Sequence, residues 1–200
     1  MAEADPRWHV VVHADEACLG NGMEPPTPGG AGGLVELRRI GEHEVVRRDY
    51  FVSASDTTNN RMALRSAIVA LELLGASGHA LRMDFVSDSN YLVQGMTEWV
   101  WAWRARGWRR KGGEVENIDL WQRLVELAEQ HEVKWTWVRG HAGHPRNEYA
   151  NHLATSAARD QGDSGGLVES GFAAWLEEQQ RRAERRRRPS SPAPRSESSS

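Results

Sequence analysis

The stretch Trp8-His-Val-Val-Val-His-Ala-Asp-Glu16 decides how the rest of the chain is read. Three consecutive valines (Val10, Val11, Val12) favour extended backbone, and the apolar run from Trp8 to Ala14 stops at an acidic pair, Asp15-Glu16. A strand that delivers carboxylates at its end is the first element. A glycine- and proline-rich turn follows, from Gly20 to Gly33. Gly33 to Arg39 alternates as a second strand, and Val45 to Val52 reads as a third after the polar turn Gly41 to Glu44. Three strands on short connections favour an antiparallel meander.

The period then changes. Asp56, Thr57, Thr58 and Asn59 are good helix caps, and Met62 to Leu74 places Leu64, Ile68, Leu71 and Leu74 on one face, with Arg61, Arg65 and Glu72 on the wet side. Leu81 to Val86 is short and apolar, a buried strand ending at Ser87-Asp88-Ser89. Tyr91 to Ala102 reads as a helix broken near Gly95. Another helix runs from Asn117 or Asp119 to Gln130, a strand covers Val133 to Val138, and Pro145 opens a last helix reaching about Arg159. The order βββαβααβα predicts an α/β fold, a mixed sheet with helices packed on it. The expected organisation is a folded unit over 1–160, a linker over 161–168, a separate basic helical extension over 169–188, and a disordered tail over 189–200, whose sequence PSSPAPRSESSS is too polar to fold alone.

Composition narrows the function. No run of 18 apolar residues exists to span a membrane, and residues 1–7 lack the cationic start and apolar core of a secretory leader. Cys18 is the only cysteine, which excludes an intrachain disulfide and points to a reducing cytoplasm. The net charge is −3, unevenly spread: residues 177–200 hold seven arginines against four glutamates, so the remainder carries −6. An acidic body argues against broad, sequence-blind binding of nucleic acid, because such binding rests on neutralising phosphates. Any nucleic-acid site has to be local.

Asp15 and Asp88 both end predicted core strands. Carboxylates on neighbouring strand ends are one way to hold a hard cation such as Mg²⁺, which takes oxygen ligands and shares them with substrate phosphate. Taken singly, each aspartate is better read as a cap of the next helix or turn. His141, His144 and His152 lack a strong zinc spacing and have no cysteine beside them.

Six segments then agree in order and spacing: DEACLGN (15–21), PGGAGG (28–33), TTNNRMALRSAIVALELL (57–74), SDSNYLVQGMTEWVWAWRARGW (87–108), IDLWQ (118–122) and KWTWVRGHAGHPRNEYANHLA (134–154). Together they resemble ribonuclease H of the type 1 family over about residues 10–158. The resemblance implies a ribonuclease H-like fold with a five-stranded mixed sheet and helices on both faces. It implies cleavage of the RNA strand of RNA/DNA hybrids with Mg²⁺ (or Mn²⁺), by a monomer. Of the four carboxylates that the family uses for metal, Asp15 and Asp88 match two. The family's first-helix glutamate falls on Ala63 and its last aspartate on Asn151, which offers an amide oxygen without charge. Glu16 and Ala17 stand where a Gly-Ser pair is usual. Four departures around one site read as divergence, with two readings of Glu16: a member of a rebuilt metal site, or a side chain that strand alternation points away from Asp15.

The resemblance also assigns a grip. It implies proton shuttling or product release for His141, hybrid minor-groove contacts for Asn21, Asn59, Asn60 and Gln94, and a phosphate pocket at Thr58, with substrate contact also for Asn147. Amides suit this task because they hydrogen-bond base edges and 2′-hydroxyls. Arg104, Arg106, Arg109, Arg110 and Lys111 resemble a basic handle for the DNA backbone, with Trp103 and Trp108 beside it as contacts for the sugars. Trp99, Trp121, Trp135 and Trp137 are expected to pack. Two functions remain in competition. One is a hydrolase with an altered ligand set in Asp15, Asp88 and Asn151. The other is a hybrid-binding module that has lost hydrolysis.

Overall fold

The structure is a computed structural model and describes residues 7–20, 26–140 and 142–187. In chain order it comprises β1 (Trp8–Cys18), β2 (Gly29–Arg39), β3 (Val45–Ala54), α1 (Asn59–Gly75), β4 (Arg82–Ser87) and α2 (Asn90–Gln94). A π-helical turn at Gly95–Trp99 joins α2 to α3 (Val100–Ala105), and β5 (Arg109–Arg110), β6 (Gly113–Glu114), α4 (Ile118–Ala128), β7 (Glu132–Trp137), α5 (Pro145–Asp160), β8 (Val168–Glu169) and α6 (Phe172–Arg187) follow. The expected break near Gly95 is therefore a change of pitch inside one helical run. A side chain at Gly95 would collide with the Trp121 ring, so the local widening lies against the bulkiest buried residue of α4.

The main sheet has the order β7-β4-β1-β2-β3-β8. β1, β2 and β3 form the antiparallel meander, and β4 and β7 extend it in parallel. The sheet thus has six strands, not five. The sixth is the short β8, which pairs Glu169 with Arg48 and Val168 with Asp49 at the β3 edge. The segment expected as a linker is likewise tied to β3: Asp163 accepts from the Ser53 amide at 2.7 Å, and Ser164 bonds Phe51. The helix expected from residue 169 starts at Phe172 because 168–169 are used as strand. The tail over 189–200 lies outside the described residues.

Period-two alternation along β1 separates two faces. Val10, Val12 and Ala14 pack with Ala63, Leu64 and Ala67 of α1 and with Trp121 and Leu124 of α4. His13 and Asp15 face α5, which lies across β1 and β2. That helix comes close enough that a Cβ at Gly32, the cross-strand partner of Asp15, would run into Leu153 and the α5 backbone. Thr58 caps α1 by accepting from the Arg61 amide, and Pro145 opens α5 where no amide hydrogen is needed.

Candidate active site

β1 does not end at Ala14 as expected. It runs on to Cys18, paired with β2, while its other neighbour β4 stops at Ser87. The parallel register sets Ala14 beside Ser87, so the next step sets Asp15 beside Asp88. Asp15 is therefore inside a strand, at the point where the adjacent strand has run out. Acidic oxygens of Asp15, Glu16 and Asp88 all lie within 4.8 Å of one another.

Glu16 corrects the expectation drawn from alternation. It does follow Ala14 onto the α1 side of the sheet, where the Ser89 hydroxyl donates to its carboxylate. The sheet edge is open at that level, so side chains leaving opposite faces of β1 still converge on Asp88. Ala63 is fully buried in the α1 core on this same side. On this side the strand, through Glu16, offers a carboxylate to the cluster.

Asp15 is only 5% exposed. Its Oδ1 accepts from the Glu16 amide at 2.7 Å, and its Oδ2 from Asn147 Nδ2 at 2.9 Å. Burial, then the charge of Asp88, raises its pKa to about 7 despite those two bonds. Burial, then the charges of Asp15 and Asp88, raises Glu16 to about 8. Oxygen donors that repel one another this closely are a set that could hold a hard cation. Gly140 closes the third side: a Cβ there would strike the Asp88 carboxylate.

Asn147 is buried against Asp15 rather than presented to a groove, and its Oδ1 has no partner. Asn151, one turn further along α5 on the same face, is half-buried. Trp137 was expected to pack; it is half-exposed, and its Nε1 donates to the Asp88 carbonyl at 3.0 Å. His13 was not singled out by the sequence. It lines a cavity of about 150 Å³ between β1 and the start of α5, and burial holds its pKa down at about 4. The signal for it was its spacing, two residues before Asp15 on one strand face.

The expected grip residues are dispersed more widely. Thr58, Asn59 and Asn60 start α1, with Thr58 and Asn60 exposed and a buried Asn59 Oδ1 left without a partner. Gln94 ends α2, half-buried. Asn21 and His141 lie outside the described residues. The basic handle is partly neutralised. Arg104 pairs with Glu129, and Arg110 with Glu116 at 2.9 Å, whereas Arg106, Arg109 and Lys111 are exposed without a described ion pair. Trp103 is held between Trp99 and Trp121, and Trp108 packs on the core in a left-handed conformation (φ 61°), so neither ring is a free exposed platform.

A family model described as RNase H matches residues 7–159. The ribonuclease H of Methylococcus capsulatus is 44% identical over 155 residues, covering 77% of this chain and 90% of that protein. That of Salmonella arizonae is 43% identical over 164 residues, covering 80% and 97%. Among solved structures, LC9-RNase H1, described as a type 1 RNase H with the type 2 active-site motif, is 53% identical with a TM-score of 0.84, covering 92% of this chain and 87% of that one.

Proposed function

The chain belongs to the ribonuclease H family, and from that premise we propose that it hydrolyses the RNA strand of RNA/DNA hybrids endonucleolytically, with Mg²⁺ or Mn²⁺ held by Asp15, Glu16, Asp88 and Asn151. The convergence of three carboxylates at the end of β4 carries this reading. Replacing the helix glutamate by Ala63 leaves three acidic donors instead of two, because Glu16 reaches the same edge. LC9-RNase H1 is another relative described with a site unlike its own type.

When bound there, divalent ions supply a water of lowered pKa and neutralise charge on the scissile phosphate. The chain's own residues set the conditions for this. Asn147 and the Glu16 amide fix the orientation of Asp15, and Ser89 fixes that of Glu16. Gly140 keeps the backbone clear of Asp88. In this reading exposed Arg106, Arg109 and Lys111 supply sequence-independent phosphate contact, Asn60 and Thr58 supply further contacts to the duplex, and His141 serves proton transfer. We further read residues 1–160 as the ribonuclease H-like unit and the chain as a cytoplasmic monomer. No helix among the described residues is long and apolar enough to cross a membrane.

The test is cleavage of an end-labelled hybrid against single-stranded RNA and duplex DNA, with Mg²⁺ and then Mn²⁺, beside the Asp15→Ala, Asp88→Ala double variant. Metal-dependent cleavage confined to the RNA strand and abolished in the variant is the expected result. Hybrid binding with cleavage equal to that of the double variant would make the chain a binding module instead.

A further inference from the structure

Helix α6 lies beyond the residues matched by the family model, yet it is built into the wall behind the site. Phe172 is buried, with the Arg47 and Arg146 guanidinium carbons 5.6 and 5.8 Å from its ring centroid. Both arginines clamp Glu36: Arg146 Nε to Oε2 at 2.7 Å, Arg47 Nε to Oε1 at 2.8 Å. Asp49 Oδ2 accepts from the Tyr149 hydroxyl at 2.6 Å and from the Gly171 amide at 3.0 Å, which ties the start of α6 to α5 through one oxygen. Trp175 lies against Tyr149 and His152, with centroids at 5.3 and 6.2 Å. Every one of these contacts on α5 falls within its first eight residues. Arg146 immediately precedes Asn147, which holds Asp15, and Asn151 follows two residues after Tyr149.

We propose that α6 is a positioning element for the metal site: Phe172 and Trp175 fix the first two turns of α5, and so place Asn147 and Asn151 relative to Asp15. This rests on the proposed metal-dependent hydrolase reading. The physical reason is the neutral ligand. A charged carboxylate attracts a cation across some misplacement, whereas the amide oxygen of Asn151 contributes only when already in position. An alternative role for α6, as a cationic arm on the phosphate backbone, is less well supported by the contacts. Its Arg181 and Arg182 are both paired with Glu178, at 3.2 and 2.9 Å, and its apolar side is spent on α5 and the sheet.

The experiment compares the full chain with Phe172→Ala in three measurements. Amide hydrogen exchange of the metal-free protein is expected to quicken roughly tenfold at residues 148–151 and to stay unchanged in β1 and β4. Calorimetric Mg²⁺ affinity and the half-saturating Mg²⁺ for cleavage are both expected to weaken about tenfold, with KM for the hybrid within about twofold and Phe172→Leu largely restoring all three. Unchanged exchange and metal affinity would overturn the proposal, as would a raised KM with unaltered metal dependence, the result for a nucleic-acid arm. If Phe172→Ala fails to fold, Trp175→Phe is read by the same outcomes. If the parent chain proves unable to cleave, the hydrolase reading fails by itself, while exchange and calorimetry still decide whether α6 positions the site.

Discussion

Two acidic side chains on the α5 side of one sheet are treated in opposite ways. Glu36 and Asp15 are both buried, 9% and 5% exposed. Glu36 is met by two arginines and a histidine. Although burial alone would raise its pKa, the hydrogen bonds and charges of Arg146 and Arg47 outweigh it and hold the carboxyl below the usual range. Asp15 is met by two further carboxylates and an amide, and its pKa rises. The first arrangement balances a buried charge with opposite charges, so that removing either partner would be costly. The second is a local conflict that the rest of the fold tolerates, and such conflicts mark functional sites. Breaking each site in turn separates the two purposes.

The largest effect is expected at Glu16. Glu16→Ala should lower metal-dependent cleavage by about a hundredfold or more, the upper range for disturbing even an outer partner of a metal, with thermal stability unchanged or raised. Placing Ala63→Glu in that background should recover at least about tenfold of the loss, since the helix then supplies the carboxylate to the α1 side of β1. Single-turnover rates over an Mg²⁺ titration read both. A double variant no better than Glu16→Ala would show that the strand and helix positions do not serve one site.

Glu16 also shows where the sequence stops being readable. The β-rich run 8–14, the caps at 56–59 and Pro145 located their elements, because local preference and burial agree there. The pairing of Asp15 with Asp88 was legible as two strand ends. The contribution of Glu16 was not. Alternation sends it to the other face, and only the length mismatch between β1 and β4, a property of sheet register, lets both faces meet. Trp103 and Trp137 exchanged expectations for a similar reason. Helical spacing cannot tell which indole lands between Trp99 and Trp121 and which projects past the end of β7. The short strand β8 and the docking of α6 depend on β3, more than a hundred residues earlier, and no local pattern announces that.

At the paired site, neutralisation should cost stability. Glu36→Gln keeps the shape but leaves Arg47 and Arg146 without their shared anion, and is expected to destabilise the fold by about 1–2 kcal/mol at pH 7. Because the folded pKa of Glu36 is depressed, its contribution is complete above the unfolded value near 4.5 and fades as pH falls through the folded one. Urea unfolding at pH 7 and pH 3 should show the difference between parent and variant shrinking on acidification. A gap that persists undiminished at pH 3 would mean that the arginines act through packing on Phe172 and not through Glu36.

The same chemical change at Asp15 should have the opposite sign. Asp15→Asn removes a buried charge facing Glu16 and Asp88. The side-chain oxygen can keep the Glu16 amide, and the new amide can donate to Asn147 Oδ1 once the Asn147 amide turns over, which keeps the contact between the two side chains. The folded pKa of Asp15 is raised, so the folded state binds the proton more tightly than the unfolded chain, and the parent loses stability as pH climbs from about 4 to about 7. In chelator the variant should therefore match the parent near pH 4 and exceed it by about 1 kcal/mol above pH 7, while cleaving no RNA. Added Mg²⁺ should narrow that gap by stabilising the parent alone. A variant less stable than the parent at pH 8 in chelator would show that Asp15 carries a fold-stabilising partner, and the contrast with Glu36 would be lost.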